Sequence, residues 1–287
     1  MKKLSMTKTK LNRSAAGNFI LLAILLLFAV FISFPLMLTL GNSLKPLDEL
    51  WIFPPKLVPK HPTFRNYSDF FTILSNSTVA ASRYVFNTVF LTVVGTVGNI
   101  ILSSMCAFSL AKKEFPGKKL MFQLVVLSLM FNGTVTAIPN YIVMSKLHLI
   151  NTYGSLILPA VASSLGLYLM KQFMEELPDS VLESARIDGA SQWKMFWTVV
   201  MPMVKPAWLT LLLLSVQSLW NTGASGFIFD EELKTLAYAV TQVAAGGTAR
   251  AGAAAASSVL MLLVPISIFI FSQTSIIETM SRSGMKD

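Results

Sequence analysis

Charge is scarce in this sequence. Of its 287 residues, 13% are Asp, Glu, Lys or Arg and 54% are hydrophobic. Soluble domains carry roughly 25% charged residues. A chain of this composition cannot coat a soluble globule of its size, so a membrane-embedded protein is expected. Cysteine is nearly missing too. Cys106 is the single copy, which excludes an intramolecular disulfide and leaves the redox compartment unread. Lying inside an apolar run, it reads as a small core residue. One cysteine and two distant histidines, His61 and His148, cannot form a metal cluster, and both histidines read as solvated loop residues. No G-x-x-x-x-G-K-[ST] phosphate loop exists. Gly117-Lys118-Lys119 lacks both the upstream glycine and the hydroxyl residue that would hold Mg²⁺. No nucleophile-elbow sequence occurs either. The chain is therefore expected to be no enzyme, to bind no metal and to hold no cofactor of its own.

What is present is a series of long apolar runs. They predict an all-α membrane protein with six transmembrane helices, each needing about 20 apolar residues. The net charge of +9 could suggest a nucleic-acid partner. The basic residues instead flank the apolar runs, which is how orientation is set in a membrane, and no nucleic acid is expected. An N-terminal arm over 1–17 carries Lys2, Lys3, Lys8, Lys10 and Arg13. A first span over 18–40 follows, too long for a signal peptide's apolar core and without a small-x-small cleavage site. Residues 41–82, with Pro46, Pro54, Pro55, Pro59, Pro62 and Trp51, read as an ordered extracytoplasmic loop with little regular structure.

Further spans are expected over about 84–111, 120–141, 153–170, 206–229 and 251–277. Gly95, Gly98 and Ser103 would permit close helix approach in the second. Residues 235–250 suggest a short surface helix, and 278–287 a tail. Under this topology 15 Lys and Arg lie on one side and 8 on the other. That bias puts both termini, and the loop 171–205, in the cytoplasm of a multi-pass cell-membrane protein.

The loop 171–205 is the charged, helix-breaking interruption of the series. Pro178 suits a first helical turn. Asp179 and Glu183 place negative charge near the helix's positive end. Gly189 fits the left-handed position after its last residue. Ser191 can cap a second helix from Gln192 to Val200, ending at Met201-Pro202. The spacing of Glu183, Ala185, Gly189, Val199 and Pro202 resembles the EAA loop of binding-protein-dependent ABC importer permeases. Ser184 stands where that pattern has its middle Ala, and Met201 where it has Leu. Asp188-Gly189-Ala190 looks most like the carbohydrate branch, the maltose- and oligosaccharide-type importers.

The resemblance covers roughly Arg83 to the C-terminus, more loosely the whole chain. It implies a type I importer permease fold over 83–277 and an ATPase-coupling loop of Glu183, Ser184, Ala185, Asp188, Gly189, Ala190 and Pro202. Glu183 would pair with a basic group on the ATPase, and Leu182, Ala185 and Ile187 would supply apolar contact. The implied partners are a second related permease, two copies of an ATP-binding subunit, an extracytoplasmic solute-binding protein facing the 41–82 loop, membrane lipid and a carbohydrate. ATP would be bound by the partner subunit.

Charge is missing once more inside the expected spans. A charged side chain at mid-membrane costs about 2.5–3.5 kcal/mol or more and is usually kept for ion or proton movement. Its absence argues against an ion-coupled secondary transporter and fits a neutral, hydroxyl-rich cargo. The cargo-path candidates are Asn87, Asn132, Gln217, Trp220 and Asn221, with Asn99, Thr134, Ser163 and Ser164 beside them. The alternative for each is an interhelical hydrogen bond, and for Trp220 an interfacial belt position. An importer for a peptide or amino acid remains open at this point.

Overall fold

A computed structural model describes residues 15–223 and 226–283. The basic residues Lys2, Lys3, Lys8, Lys10, Arg13 and Lys286 lie outside that range. Among the described residues the chain is helical, with no strand. In order the α-helices are α1 Ala15–Leu44, α2 Leu47–Leu50, α3 Arg65–Ser75, α4 Ala81–Lys112, α5 Lys118–Ser128, α6 Gly133–Lys146 and α7 Gly154–Val161. They continue as α8 Ser164–Glu175, α9 Asp179–Ile187, α10 Gln192–Met195, α11 Met201–Met203, α12 Lys205–Trp220, α13 Leu236–Ala244 and α14 Ala251–Ser283. Among the described residues four helical segments are individually long and apolar enough to cross a membrane, and counting each of two sharply bent pairs as one span gives up to six.

The hub is α4, which packs on α7, α8 and α12. Helices in lipid gain little from apolar burial as such, so they associate through close packing and hydrogen bonds. Small residues on α4 allow that approach. A Cβ added at Gly95 would come 2.6 Å from Leu219 of α12, and one at Gly98 would come 2.7 Å from Val161 of α7. Asn99 of α4 adds a polar tie, donating to Ser215 Oγ at 2.8 Å and accepting from Ser103 Oγ at 2.8 Å.

Several expectations are corrected. The apolar run over 120–141 is not one straight helix, because α5 and α6 meet at 114°. Asn132 makes the break: its side chain accepts from Thr134 N and caps a new helix at Gly133. The fourth helix runs past Met170 to Glu175 and takes the buried Lys171 with it. Lys171 Nζ sits 2.6 Å from Glu175 Oε1 and 3.7 Å from the centre of the Phe122 ring. The helix expected to reach Phe229 ends at Trp220. The apolar residues that misled are packed in a loop, with Ile228 buried against Leu91 and Leu156. Asn151 holds that loop, accepting from the backbone N–H groups of Phe229 and Asp230.

Residues 41–82 carry more helix than expected, since α3 spans Arg65–Ser75 and buries Asn66, Phe70 and Leu74 at four-residue spacing. The helix after Thr235 is a packed one, with Leu236, Ala237, Ala239 and Val243 buried. Cys106 is exposed on α4 rather than in the core.

Candidate functional site

The interruption between α8 and α12 folds as a helical hairpin. Pro178 precedes α9 with extended ψ of 130°, and Asp179 occupies the first turn. Two hydrogen bonds close the far end, Gly189 N–H to Arg186 O and Ala190 N–H to Ala185 O, both 3.0 Å. This pair is a Schellman stop, which requires a left-handed residue after the helix. Gly189 supplies it at φ +78°. Ser191 then caps α10, accepting from Lys194 N–H at 3.2 Å.

Met201-Pro202 does not end the second helix. Phe196–Val200 widens into a π-turn, in which Met201 N–H reaches Phe196 O, and helix resumes through Met203. Pro202, which has no N–H to give, follows directly on that widened stretch. The chain then turns 78° into α12 around Val204. Trp208 Nε1 secures the corner by donating to Met201 O at 3.1 Å.

The hairpin has an inner and an outer face. Leu182 is 4% exposed and packs in a cluster with Ala107 and Phe108 of α4, Met170 and Met174 of α8, and Met195, Phe196 and Leu211. It anchors the hairpin and has no surface left for a partner, which corrects its expected role. Ala185 and Ala190 pack against the same cluster. Glu183, Ser184, Arg186 and Asp188 point outward, and Ile187 is 86% exposed. Ser184 Oγ donates to Ser180 O of its own helix at 2.9 Å.

Lys112, the last residue of α4, belongs to no sequence motif. Its ammonium donates to Leu177 O at 2.6 Å and Asp179 Oδ1 at 2.8 Å, and reaches Glu175 O at 3.4 Å. It thereby joins the end of α4, the end of α8 and the start of α9. The hydrogen bond from Lys112 holds the Asp179 carboxyl below its ordinary pKa, reinforced by the cation's charge.

The cargo-path candidates divide into two groups. Asn87 is fully buried and fully used. Its amide donates to Glu232 O and Lys234 O, both at 2.8 Å, and accepts from Tyr153 Oη at 2.7 Å. Asn132 is a helix cap, as is Ser163, which accepts from Gly166 N–H at 3.1 Å. Ser164 pairs with Ser128 at 2.6 Å, and Thr134 lies on the exposed surface. Trp220 is buried and Asn221 exposed. The Trp220 indole turns inward and donates to Met261 O at 3.0 Å.

Gln217 on α12 and Asn221, the residue just past its end, whose amide donates to Gln217 O at 2.8 Å, instead share a groove of about 590 Å³ with Thr39, Thr241, Ser258, Val240 and Met261. Thr39, Thr241 and Ser258 carried no sequence signal, because they meet these amides only through packing of α1, α13 and α14. The histidines lie in exposed segments. His61 borders a groove of about 1230 Å³ with Trp51, Arg65, Asp69 and Arg250. In the same segment Glu49 accepts from Lys60 N–H at 2.7 Å, the main reason its carboxyl titrates below the ordinary value.

Comparison with known proteins gives a consistent result. Residues 99–281 match the family described as "Binding-protein-dependent transport system inner membrane component". The arabinooligosaccharides transport system permease protein AraQ of Bacillus subtilis is 30% identical over 272 residues, 93% of this chain and 93% of that protein. The diacetylchitobiose uptake system permease protein NgcG of Streptomyces coelicolor is 31% identical, over 74% of this chain and 70% of that protein. Protein LplC of Bacillus subtilis is 36% identical over 53% of this chain and 54% of its own length. A crystal structure of a bacterial ABC transporter involved in the import of the acidic polysaccharide alginate shares the fold. Its TM-score is 0.76 at 23% identity, covering 91% of this chain and 98% of that one.

Proposed function

The chain belongs to the family of binding-protein-dependent transport system inner membrane components, and from that premise we propose that it is a permease subunit of an ATP-driven carbohydrate importer. The observation that carries the reading is the hairpin of α9, Gly189 and α10. It is anchored inward through Leu182 and presents Glu183, Arg186, Ile187 and Asp188 outward. Such a face suits docking to a separate ATPase, with Ile187 as the apolar contact and Glu183 paired to a basic group. Ala185 and Ala190 pack against the core cluster, Ser184 lies on the outward side, Gly189 turns the hairpin, and Pro202 lies at its root.

The cargo is a sugar or oligosaccharide. Amides and hydroxyls with apolar neighbours recognise neutral polyols, and the groove of Gln217, Asn221, Thr241 and Ser258 offers that set beside Met261 and Val240. The relatives AraQ and NgcG are permeases for arabinooligosaccharides and diacetylchitobiose, which supports that class over peptides or amino acids. A second, related permease would supply the other half of the path. Two ATPase copies would grip the hairpins from the cytoplasm, where both termini would also lie. A solute-binding protein would deliver cargo on the opposite side, near the groove of Trp51, Arg65 and Arg250. Closure of the ATPase pair would move α9 and rock the helices between inward- and outward-open arrangements, with ATP held by the partner throughout.

The test is purification of the tagged chain from its native membrane, followed by reconstitution with the solute-binding protein. An ATPase should co-purify, and labelled oligosaccharide should enter vesicles only with ATP. A chain that purifies alone, or uptake that proceeds without ATP, would overturn the reading.

A further inference from the structure

The segment Gln192–Met203 meets α12 at 78°. The two form one of the bent pairs whose apolar length suits a membrane crossing. With α12 running across the bilayer, the segment before it lies close to the membrane plane. Its sides are chemically distinct. Met195, Phe196 and Val200 are buried in the inner cluster, while Lys194 and Thr198 are exposed. At about 100° per residue, Trp193 and Trp197 fall between these two faces, one turn apart.

Both indoles are open to the surroundings, at 60% and 37% exposure. They meet edge to face at 5.8 Å, and Trp197 lies 5.0 Å from the buried Phe196 ring. The pair is therefore seated on the core without being hidden by it. Among the described residues neither indole N–H has a hydrogen-bond partner, whereas those of Trp208 and Trp220 donate to Met201 O and Met261 O. A large apolar ring with a free N–H, between a buried face and a cationic one, is what the water–lipid boundary accommodates best.

We propose that Trp193 and Trp197 seat the segment Gln192–Met203 in the lipid headgroup layer of the leaflet on the α9 side, so that lipid is the partner of this face. The second arm of the hairpin is then fixed in the membrane surface. Gly189 becomes the joint about which α9 moves relative to it.

The experiment places a nitroxide at W193C or W197C, with Cys106 replaced by Ser, in the full chain. The protein is embedded in discs of phosphatidylethanolamine and phosphatidylglycerol. K194C serves as the reference on the polar face. Collision with oxygen and with a water-soluble nickel chelate should put both Trp sites at phosphate depth and the reference site in water. Nickel access equal to that of K194C would overturn the proposal, as would loss of both collisions when the ATPase subunit is added. Because cysteine there could disturb packing, wild type and W193F/W197F are also compared with lipids brominated near the headgroup. Wild-type fluorescence should be quenched by the larger fraction, and equal quenching would overturn the proposal. Neither result depends on the nature of the cargo.

Discussion

Lys112 Nζ lies 2.8 Å from Asp179 Oδ1, joining the last residue of the hub helix α4 to the first residue of α9. The lysine side chain is 8% exposed and the aspartate 76%, so the cation is held in place while the carboxylate sits at the surface. The same ammonium donates to Leu177 O, as cations do near helix C-termini. Displacement of α9 would therefore reach α4 through a polar pin as well as through the Leu182 cluster. Lys112→Met should leave insertion and assembly intact while lowering sugar moved per ATP hydrolysed by roughly two- to thirtyfold, the range for residues along a coupled network. The exchanged pair K112D/D179K should recover part of the loss. An unchanged ratio in reconstituted vesicles would sink the pin but leave the transport reading standing.

The pH dependence of this pin follows from the lowered pKa of Asp179, caused first by the Lys112 hydrogen bond and then by its charge. A carboxylate with a depressed folded pKa adds stability above its ordinary pKa of about 4, and that stability is lost as pH falls through the lowered value. The hydrogen-exchange protection of α9, taken relative to the intrinsic exchange rate at each pH, should be flat from neutral pH down to the ordinary carboxylate range and fall below it. Asp179→Asn should show the lower protection throughout and no acid step. A step of equal size in the variant would assign the effect to another group.

Gly189 stands at φ +78° with open space around it, so a side chain there meets conformational strain rather than a clash. Left-handed backbone costs most residues roughly 1–2 kcal/mol, and Asn less. Gly189→Asn should keep coupled transport. Gly189→Pro, fixed near φ −65°, also loses the N–H that reaches Arg186 O and should abolish coupling while the protein still inserts. Uptake and ATPase rates in vesicles decide it. Full coupling in the proline variant would mean that the hairpin turn is not what transmits motion.

The hairpin was legible because its signals are local. Pro178, Gly189 and Ser191 each act on the backbone within a few residues; Gly189 and Ser191 sit where their chemistry requires, and Pro178 stands one residue ahead of the first turn, at the N-cap. The bend between α5 and α6 was harder to see, although Asn132-Gly133 marks it, because hydropathy records avoidance of water and is indifferent to helix direction. The same indifference carried the fifth helix on to Phe229, where the apolar residues pack as a loop. Cys106 faced outward and Trp220 inward for a related reason. In a chain surrounded by lipid, apolar residues occupy both surfaces, so residue type does not separate core from periphery. Lys112 was visible as a charge, but its three acceptors come from residues more than sixty positions away.

Asn87 and Gln217 were grouped in the sequence as polar residues within spans, and their surroundings now separate them. Asn87 is enclosed with all its partners inside the protein, and its loss strands Glu232 O, Lys234 O and the Tyr153 hydroxyl. A buried polar group left unpaired costs roughly 1–3 kcal/mol. Asn87→Ala should therefore lower the Tm of the purified complex by roughly 3–10 °C, with the KM for sugar little changed. Gln217 and Asn221 face an open groove, and the side-chain bond between them, from the Asn221 amide to Gln217 O, is exposed, so Q217A/N221A should leave the Tm nearly in place. The double change should raise the KM of uptake roughly tenfold, from two lost hydrogen bonds of about 0.5–1.5 kcal/mol each. Thermal unfolding and uptake kinetics on the same preparations test both halves. A raised KM for Asn87→Ala without a Tm change would move the sugar path toward α4 and away from the Gln217 groove.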